Sequence, residues 1–157
     1  MIEKRDFVDL ATKLDEPIGS YDYVAVADGS GTTLGQPCGS FLTFLKKDSQ
    51  EPVWLMTTAS SGTNNYAELY PFLNFLWWLE SCKVERAKLL FVSDSEVTVR
   101  CAMGLYSRKA NLGLWAMYDF YAKRFEIVWK HVLRNSNPIN EECDERAKCA
   151  RKLHETG

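Results

Sequence analysis

Two aspartates stand directly behind runs of apolar residues. Asp28 follows Tyr23-Val24-Ala25-Val26-Ala27, and Asp94 follows the run Leu89 to Ser93. A carboxylate behind five apolar residues is poorly placed for solubility alone. In open α/β sheets, ligands collect beyond the ends of neighbouring strands, so two such acids could converge there. Clustered carboxylates repel and raise each other's pKa unless a divalent cation neutralises them. Oxygen ligands without His or Cys suit Mg²⁺ or Mn²⁺ rather than zinc. Plainer readings exist for each acid taken alone. Asp28 with Gly29 could begin a turn. Glu68, three residues after Asn65, could be the N3 residue of a helix capping box. Asp144, among Glu141, Glu142 and Glu145, could belong to a solvated helix face.

The elements that would position these acids are readable in outline. Phe7, Leu10, Ala11 and Leu14 have helical spacing, closed by Pro17 and Gly19, and predict a short amphipathic helix packed on the body. Tyr23 to Ala27 predict a strand that delivers Asp28 into a turn. Phe41 to Leu45 and Val53 to Thr58 predict two more strands, joined by a turn at Lys46 to Ser49. From Tyr66 to Glu80 the period becomes helical, at Leu69, Phe72, Leu73, Leu76 and Leu79. Phe75, Trp77 and Trp78 widen that stripe and predict cover on more than one side. Pro71 predicts a kink or a delayed start. Leu89 to Ser93 read as a buried, parallel strand. Helices are expected over 96–106 and Leu114 to Lys123, then a strand from Phe125 to Val132. A polar loop from Arg134 to Ile139 and a last helix from Asn140 to Leu153 complete the chain. The order β-β-β-α-β-α-α-β-α implies an α/β fold: a mixed sheet with antiparallel strands first and parallel additions later.

Composition sets the bounds. The chain has 157 residues, 46% of them apolar and 25% charged, enough for one conventional core. Its formal charge of −2 means that a polyanionic ligand would need a local basic patch. The five cysteines, Cys38, Cys82, Cys101, Cys143 and Cys149, have no zinc-knuckle spacing. No secretory leader or membrane-length apolar run is visible, so the expectation is a cytoplasmic protein with reduced thiols.

Four motifs in order carry a resemblance. Asp28-Gly29-Ser30, then Thr63-Asn64-Asn65-Tyr66-Ala67-Glu68-Leu69, then Asp94-Ser95 after a hydrophobic strand, then Asn140-Glu141-Glu142-Cys143-Asp144-Glu145-Arg146-Ala147 resemble type 1 ribonucleases H. The likeness runs from about Tyr23 to Arg151. It implies a ribonuclease H-like fold with a five-stranded mixed sheet flanked by helices. Residues 1–20 would be an N-terminal helical extension, and 21–157 the catalytic domain. The implied activity is hydrolysis of the RNA strand of RNA/DNA hybrids by a monomeric enzyme using two Mg²⁺, or Mn²⁺ as substitute. The implied metal ligands are Asp28, Glu68, Asp94 and Asp144. Thr63, Asn64 and Asn65 match the family's hybrid-contacting turn, and Gln36, within Gly35-Gln36-Pro37, matches a nucleic-acid contact. Gly29, Ser30 and Asn140 join them as expected substrate contacts. Trp115 matches a family tryptophan, with core packing its plainer role.

The chain also departs from the family. The loop before the last helix, Leu133-Arg134-Asn135-Ser136-Asn137-Pro138, lacks the usual mobile histidine. Arg134 is the nearest basic substitute and is expected to serve in catalysis, whereas His131 falls inside the predicted strand. The basic insertion helix of some members is absent between Asp94 and Leu114. Arg108, Lys109, Lys123 and Arg124 are cationic, and a solvated surface is their plainer role. Two other functions fit the same scaffold: a nuclease acting on DNA, of junction-resolvase or exonuclease type, and a non-catalytic nucleic-acid-binding domain. The Thr-Asn-Asn turn favours hybrids over the first. Four mutually repelling acids argue against the second.

Overall fold

Unbroken apolar stretches such as Leu89 to Val92 belong to strands covered on both faces. The computed structural model, which describes residues 1–156, shows that arrangement. The elements are α1 (Lys4–Lys13), a 3₁₀ turn (Ile18–Ser20), β1 (Tyr23–Ser30), β2 (Cys38–Lys46), β3 (Val53–Ala59), α2 (Asn64–Ser81), β4 (Lys88–Ser93), α3 (Glu96–Ala102), α4 (Leu112–Ala122), β5 (Glu126–His131) and α5 (Pro138–Thr156). The five strands form one mixed sheet in the order β3-β2-β1-β4-β5. The β1–β2 and β2–β3 pairs are antiparallel; β1–β4 and β4–β5 are parallel.

Alternation along β1 and β4 divides the core. Ala25, Ala27, Leu89 and Phe91 face α2, α3 and α4, packing with Phe72, Phe75, Trp115 and Trp129. Val24, Val26, Leu90 and Val92 face the other way, against Phe7 and Leu10 of α1 and Ile139 and Cys143 of α5. Both faces of the central strands are therefore dry, which is why their sequence shows no polar alternation. All five cysteines are free. Among the described residues, no helix is long and apolar enough to cross a membrane.

Several boundaries differ from the sequence-based expectation. β1 does not turn at Asp28 but runs on to Ser30, because pairing with β2 continues through Asp28↔Phe41, Gly29↔Ser40 and Ser30↔Gly39. Its pairing with β4 stops at Ala27↔Ser93. α2 starts at Asn64 and passes through Pro71. Proline at that position would leave the Ala67 carbonyl without its helical donor. The Ser40 hydroxyl of β2 donates to that oxygen instead, at 2.7 Å. Trp77 is 56% exposed, so the cover expected on its side of α2 is absent. α3 ends at Ala102 rather than 106, where Gly104 takes a positive φ of 77° and Leu105 N–H returns to the Arg100 carbonyl at 2.8 Å. α5 begins at Pro138: Asn137 caps it by accepting from the Asn140 N–H at 2.9 Å, with proline in the first helical position.

Candidate metal centre

Each candidate acid is carried by a different element. Asp28 lies near the C-terminal end of β1, and Asp94 immediately follows the C-terminal end of its parallel neighbour β4. Glu68 comes from the second turn of α2, and Asp144 from α5. The approach of α2 depends on Gly29: a Cβ there would fall 2.3 Å from the Ala67 backbone. α5 approaches β2 in the same way over Gly39, where a Cβ would lie 2.4 Å from the Arg151 nitrogen. Glycine at these two positions thus lets the helices that carry Glu68 and Asp144 press onto β1 and β2.

Asp28, Glu68 and Asp94 each offer a carboxylate oxygen, and the three atoms lie within 4.8 Å of one another. Asp28 is 2% exposed and Glu68 5%, while Asp94 is half-buried. Asp144 stands outside this close trio but lines the same cleft of about 460 Å³. Its carboxylate is held by Lys148 at 3.1 Å and Arg134 at 3.6 Å. The plainer readings of these acids fail here. Asp28 is paired strand. The cap of α2 is Thr63, whose hydroxyl accepts from the Tyr66 N–H at 3.2 Å, so Glu68 closes no capping box. Asp144 is buried.

Burial and mutual repulsion govern protonation. Loss of water pushes the Asp28 carboxyl up to about 7, with the Asp94 charge adding to the rise and the Gly29 N–H at 2.9 Å opposing it. Glu68 is raised well above the ordinary carboxyl range, by burial first and then by the charges of Asp28 and Asp94. Burial also raises Asp94, against the nearby Asn140 amide and the Arg134 guanidinium. When ionised, Asp28 Oδ2 and Glu68 Oε2 are buried without a hydrogen-bond partner. A proton shared between the two side chains relieves that cost at low pH. A divalent cation would relieve it at any pH where the acids are charged. The donor set is all oxygen, which fits Mg²⁺ or Mn²⁺.

The remaining expected residues separate. Gly29, Ser30 and Asn64 line the acidic cleft together with Arg134. Asn65 lines a neighbouring hollow beside Arg108, Lys109 and Trp115. Thr63 uses its hydroxyl as a helix cap. Gln36 is exposed on a loop tied to the same rim: its carbonyl accepts from the Gly62 N–H at 3.1 Å, and Thr32 bridges to Thr63. Asn140 does not reach the surface. It is fully buried, and its Oδ1 accepts from the Asn135 N–H at 2.8 Å, so it offers a substrate no contact area. His131 ends β5, with its Nε2 3.2 Å from the Asp94 carbonyl oxygen. Trp115 is core, with the Arg108 guanidinium 4.4 Å from its ring centroid. Arg108 also pairs with Asp119 at 2.6 Å, and Arg124 with Glu80 at 2.9 Å. Sequence reasoning overlooked Lys148 and Arg151, which line the cleft. They stand four and seven residues after Asp144, the spacing of one helix face, and that was the available signal.

No protein-family model matches the sequence, and no curated protein matches it. Solved structures do match. The N-terminal RNase H domain of a Mycobacterium tuberculosis protein, solved as a fusion with maltose binding protein, aligns with a TM-score of 0.73 and 21% identity over 87% of this chain and 98% of that one. The chain has the ribonuclease H fold. LC11-RNase H1 from compost, solved in complex with RNA/DNA hybrid, gives a TM-score of 0.68 and 21% identity over 82% of this chain and 98% of its own. RNase H1 from the archaeon Halobacterium salinarum gives 0.66 and 19% over 83% and 97%. At these identities the likeness is one of fold. The type 1 ribonuclease H resemblance carried by the sequence motifs is thus matched by a likeness of fold over 82–87% of the chain.

Proposed function

We propose that residues 21–157 form a catalytic domain that hydrolyses the RNA strand of RNA/DNA hybrids with two divalent ions, Mg²⁺ or Mn²⁺. The observation that carries this reading is the trio Asp28, Glu68 and Asp94, with one carboxylate oxygen of each within 4.8 Å of the others, and with an oxygen of Asp28 and one of Glu68 buried without a partner. The resemblance of the four motifs and the hybrid bound to LC11-RNase H1 support the choice of substrate.

Asp28, Glu68 and Asp94 would hold the metal, and Asp144 would supply a further carboxylate from the cleft wall. When bound, the divalent ions supply Lewis acidity to the attacking water and to the departing 3′ oxygen of the RNA. The chain's own residues do the rest. Arg134 and Lys148 keep Asp144 oriented while adding positive charge beside the cleft, which favours a phosphodiester there despite the net negative protein. Asn64 in the acidic cleft and Asn65 in the neighbouring hollow would hold phosphate and sugar groups without reading sequence. Discrimination for RNA would come from 2′-OH contacts beside Glu68 and Gln36.

Labelled RNA/DNA hybrid, duplex DNA, duplex RNA and a four-way junction, each incubated with and without Mg²⁺, test the proposal. Cleavage confined to the RNA strand of the hybrid, and dependent on metal, is the expected result. Cleavage of the junction, or none of any substrate, overturns it.

A further inference from the structure

The loop that carries Arg134 is short, exposed and built from hydrogen bonds rather than packing. Asn135 takes a positive φ of 55°; its N–H donates to Asn140 Oδ1, and the Ser136 N–H returns to the Leu133 carbonyl at 3.2 Å. Leu133, Arg134, Asn135 and Ser136 are all exposed. Such a segment opens easily unless something outside it fixes its path. Yet Arg134 must stay near Asp144 for the cleft to keep its charge pattern.

α1 supplies the outside contact. Its buried face, Phe7, Leu10 and Ala11, is pinned to the body, and Phe7 and Leu10 share one apolar cluster with Val132 and Ile139 at the two ends of the loop. From the last turn of this anchored helix, Lys13 Nζ donates to the Ser136 carbonyl at 3.4 Å. Just beyond the helix, Glu16 takes Lys130 of β5 at 3.2 Å and the Tyr21 hydroxyl at 2.6 Å. The helix and the turn after it thus hold the strand before the loop, the apolar residues at both loop ends and the loop's own backbone.

We propose that α1 is a brace for the Arg134 loop, with Lys13 as a positioning residue that acts on the acidic cleft through Arg134. This gives the extension of residues 1–20 a role in the reaction rather than only in folding. The kinetic part rests on the hybrid-cleavage reading; the structural part does not. Supporting residues of this kind set how tightly a reactive side chain is held, and small misplacements are costly in rate.

Two measurements on the full chain test it, for the wild type and for Lys13→Ala, Lys13→Arg, Arg134→Ala and the Lys13→Ala/Arg134→Ala double variant. The first is amide hydrogen exchange at Asn135 and Ser136. Lys13→Ala should speed exchange at both while leaving the melting temperature nearly unchanged, and Lys13→Arg should restore protection. The second is hybrid cleavage. Lys13→Ala should lower kcat by about threefold or more with KM little changed. The double variant should lose no more than Arg134→Ala alone, because the two act through one contact. Unchanged exchange in Lys13→Ala overturns the brace whatever the activity. Additive losses in the double variant overturn its action through Arg134. If the wild type cleaves no hybrid, the function proposed above falls, and exchange alone still decides the brace.

Discussion

Asp28 and Glu68 are held out of water beside each other, so the metal-free protein keeps protons that an unfolded chain would release. For Asp28 the folded value is about 7 against an ordinary 3.8. Between those pH values the folded state binds the extra proton, so stability must fall as pH rises. The contribution is fully present below about 3.8 and gone above about 7. Without metal, the melting temperature should therefore decline across that window. Asp28→Asn should flatten the decline and melt higher than wild type at pH 8, by roughly 2–4 °C for each kcal/mol of repulsion removed. It should also abolish cleavage. A lower melting temperature for Asp28→Asn under metal-free conditions would mark the carboxylate as structural instead. Arg134 belongs to the same scale. It is exposed and holds Asp144 at 3.6 Å, so Arg134→Ala should slow turnover more than it weakens hybrid binding. Single-turnover rates and a separate hybrid Kd separate the two effects. Equal turnover would remove Arg134 from the mechanism.

At the scale of elements, the junction of β1, β2 and α2 sets the distance between Asp28 and Glu68. Gly29→Ala would drive a Cβ into the Ala67 backbone and push α2 outward, lowering both stability and affinity for Mg²⁺. Ser40→Ala should cost about 1–3 kcal/mol, because the Ala67 carbonyl that Pro71 leaves without a helical donor would then be buried with no partner. Urea midpoints at constant m read both costs, and calorimetry reads the affinity. At this junction the structure depends on contacts between residues far apart in the sequence. The strand of Tyr23 to Ala27 and the helical period from Leu69 to Leu79 were legible because buried faces leave a period in the sequence. Asp28-Gly29 read as a turn because its glycine serves a helix about 40 residues away, not the local backbone. Pro71 reads as a kink or a delayed start because its compensating hydroxyl is on a strand, Ser40 of β2. Asn137-Pro138 is a helix start that local chemistry allows, although the polar composition of Arg134 to Ile139 predicts a loop. Among the acids, Asp28 and Asp94 were visible from their strands alone. Glu68 and Asp144 needed the family resemblance, since a charged residue in a helix shows its burial only in three dimensions.

Seen as a whole, the molecule spends a dry, two-faced sheet on holding carboxylates that repel one another, and a bound cation would change the sign of that contribution. In the proposed metal complex the oxygens that are unsatisfied in the metal-free fold would become ligands, and the unfolded chain offers no comparable site, so metal binding would stabilise the native state by mass action. At a free Mg²⁺ concentration about 100 times the Kd the gain is roughly 2.7 kcal/mol. For a chain of this length that corresponds to a rise in melting temperature of about 5–10 °C. Protons compete for the same oxygens, so the rise should be larger at pH 8 than at pH 5. Glu68→Gln should reduce it, and sodium chloride at matched ionic strength should not reproduce it. Thermal melts in EDTA, in Mg²⁺ and in Mn²⁺ at the two pH values make the comparison. A shift that matched the sodium chloride control, or one equal at both pH values, would mean that the ions only screen surface charge and that the three acids hold no metal.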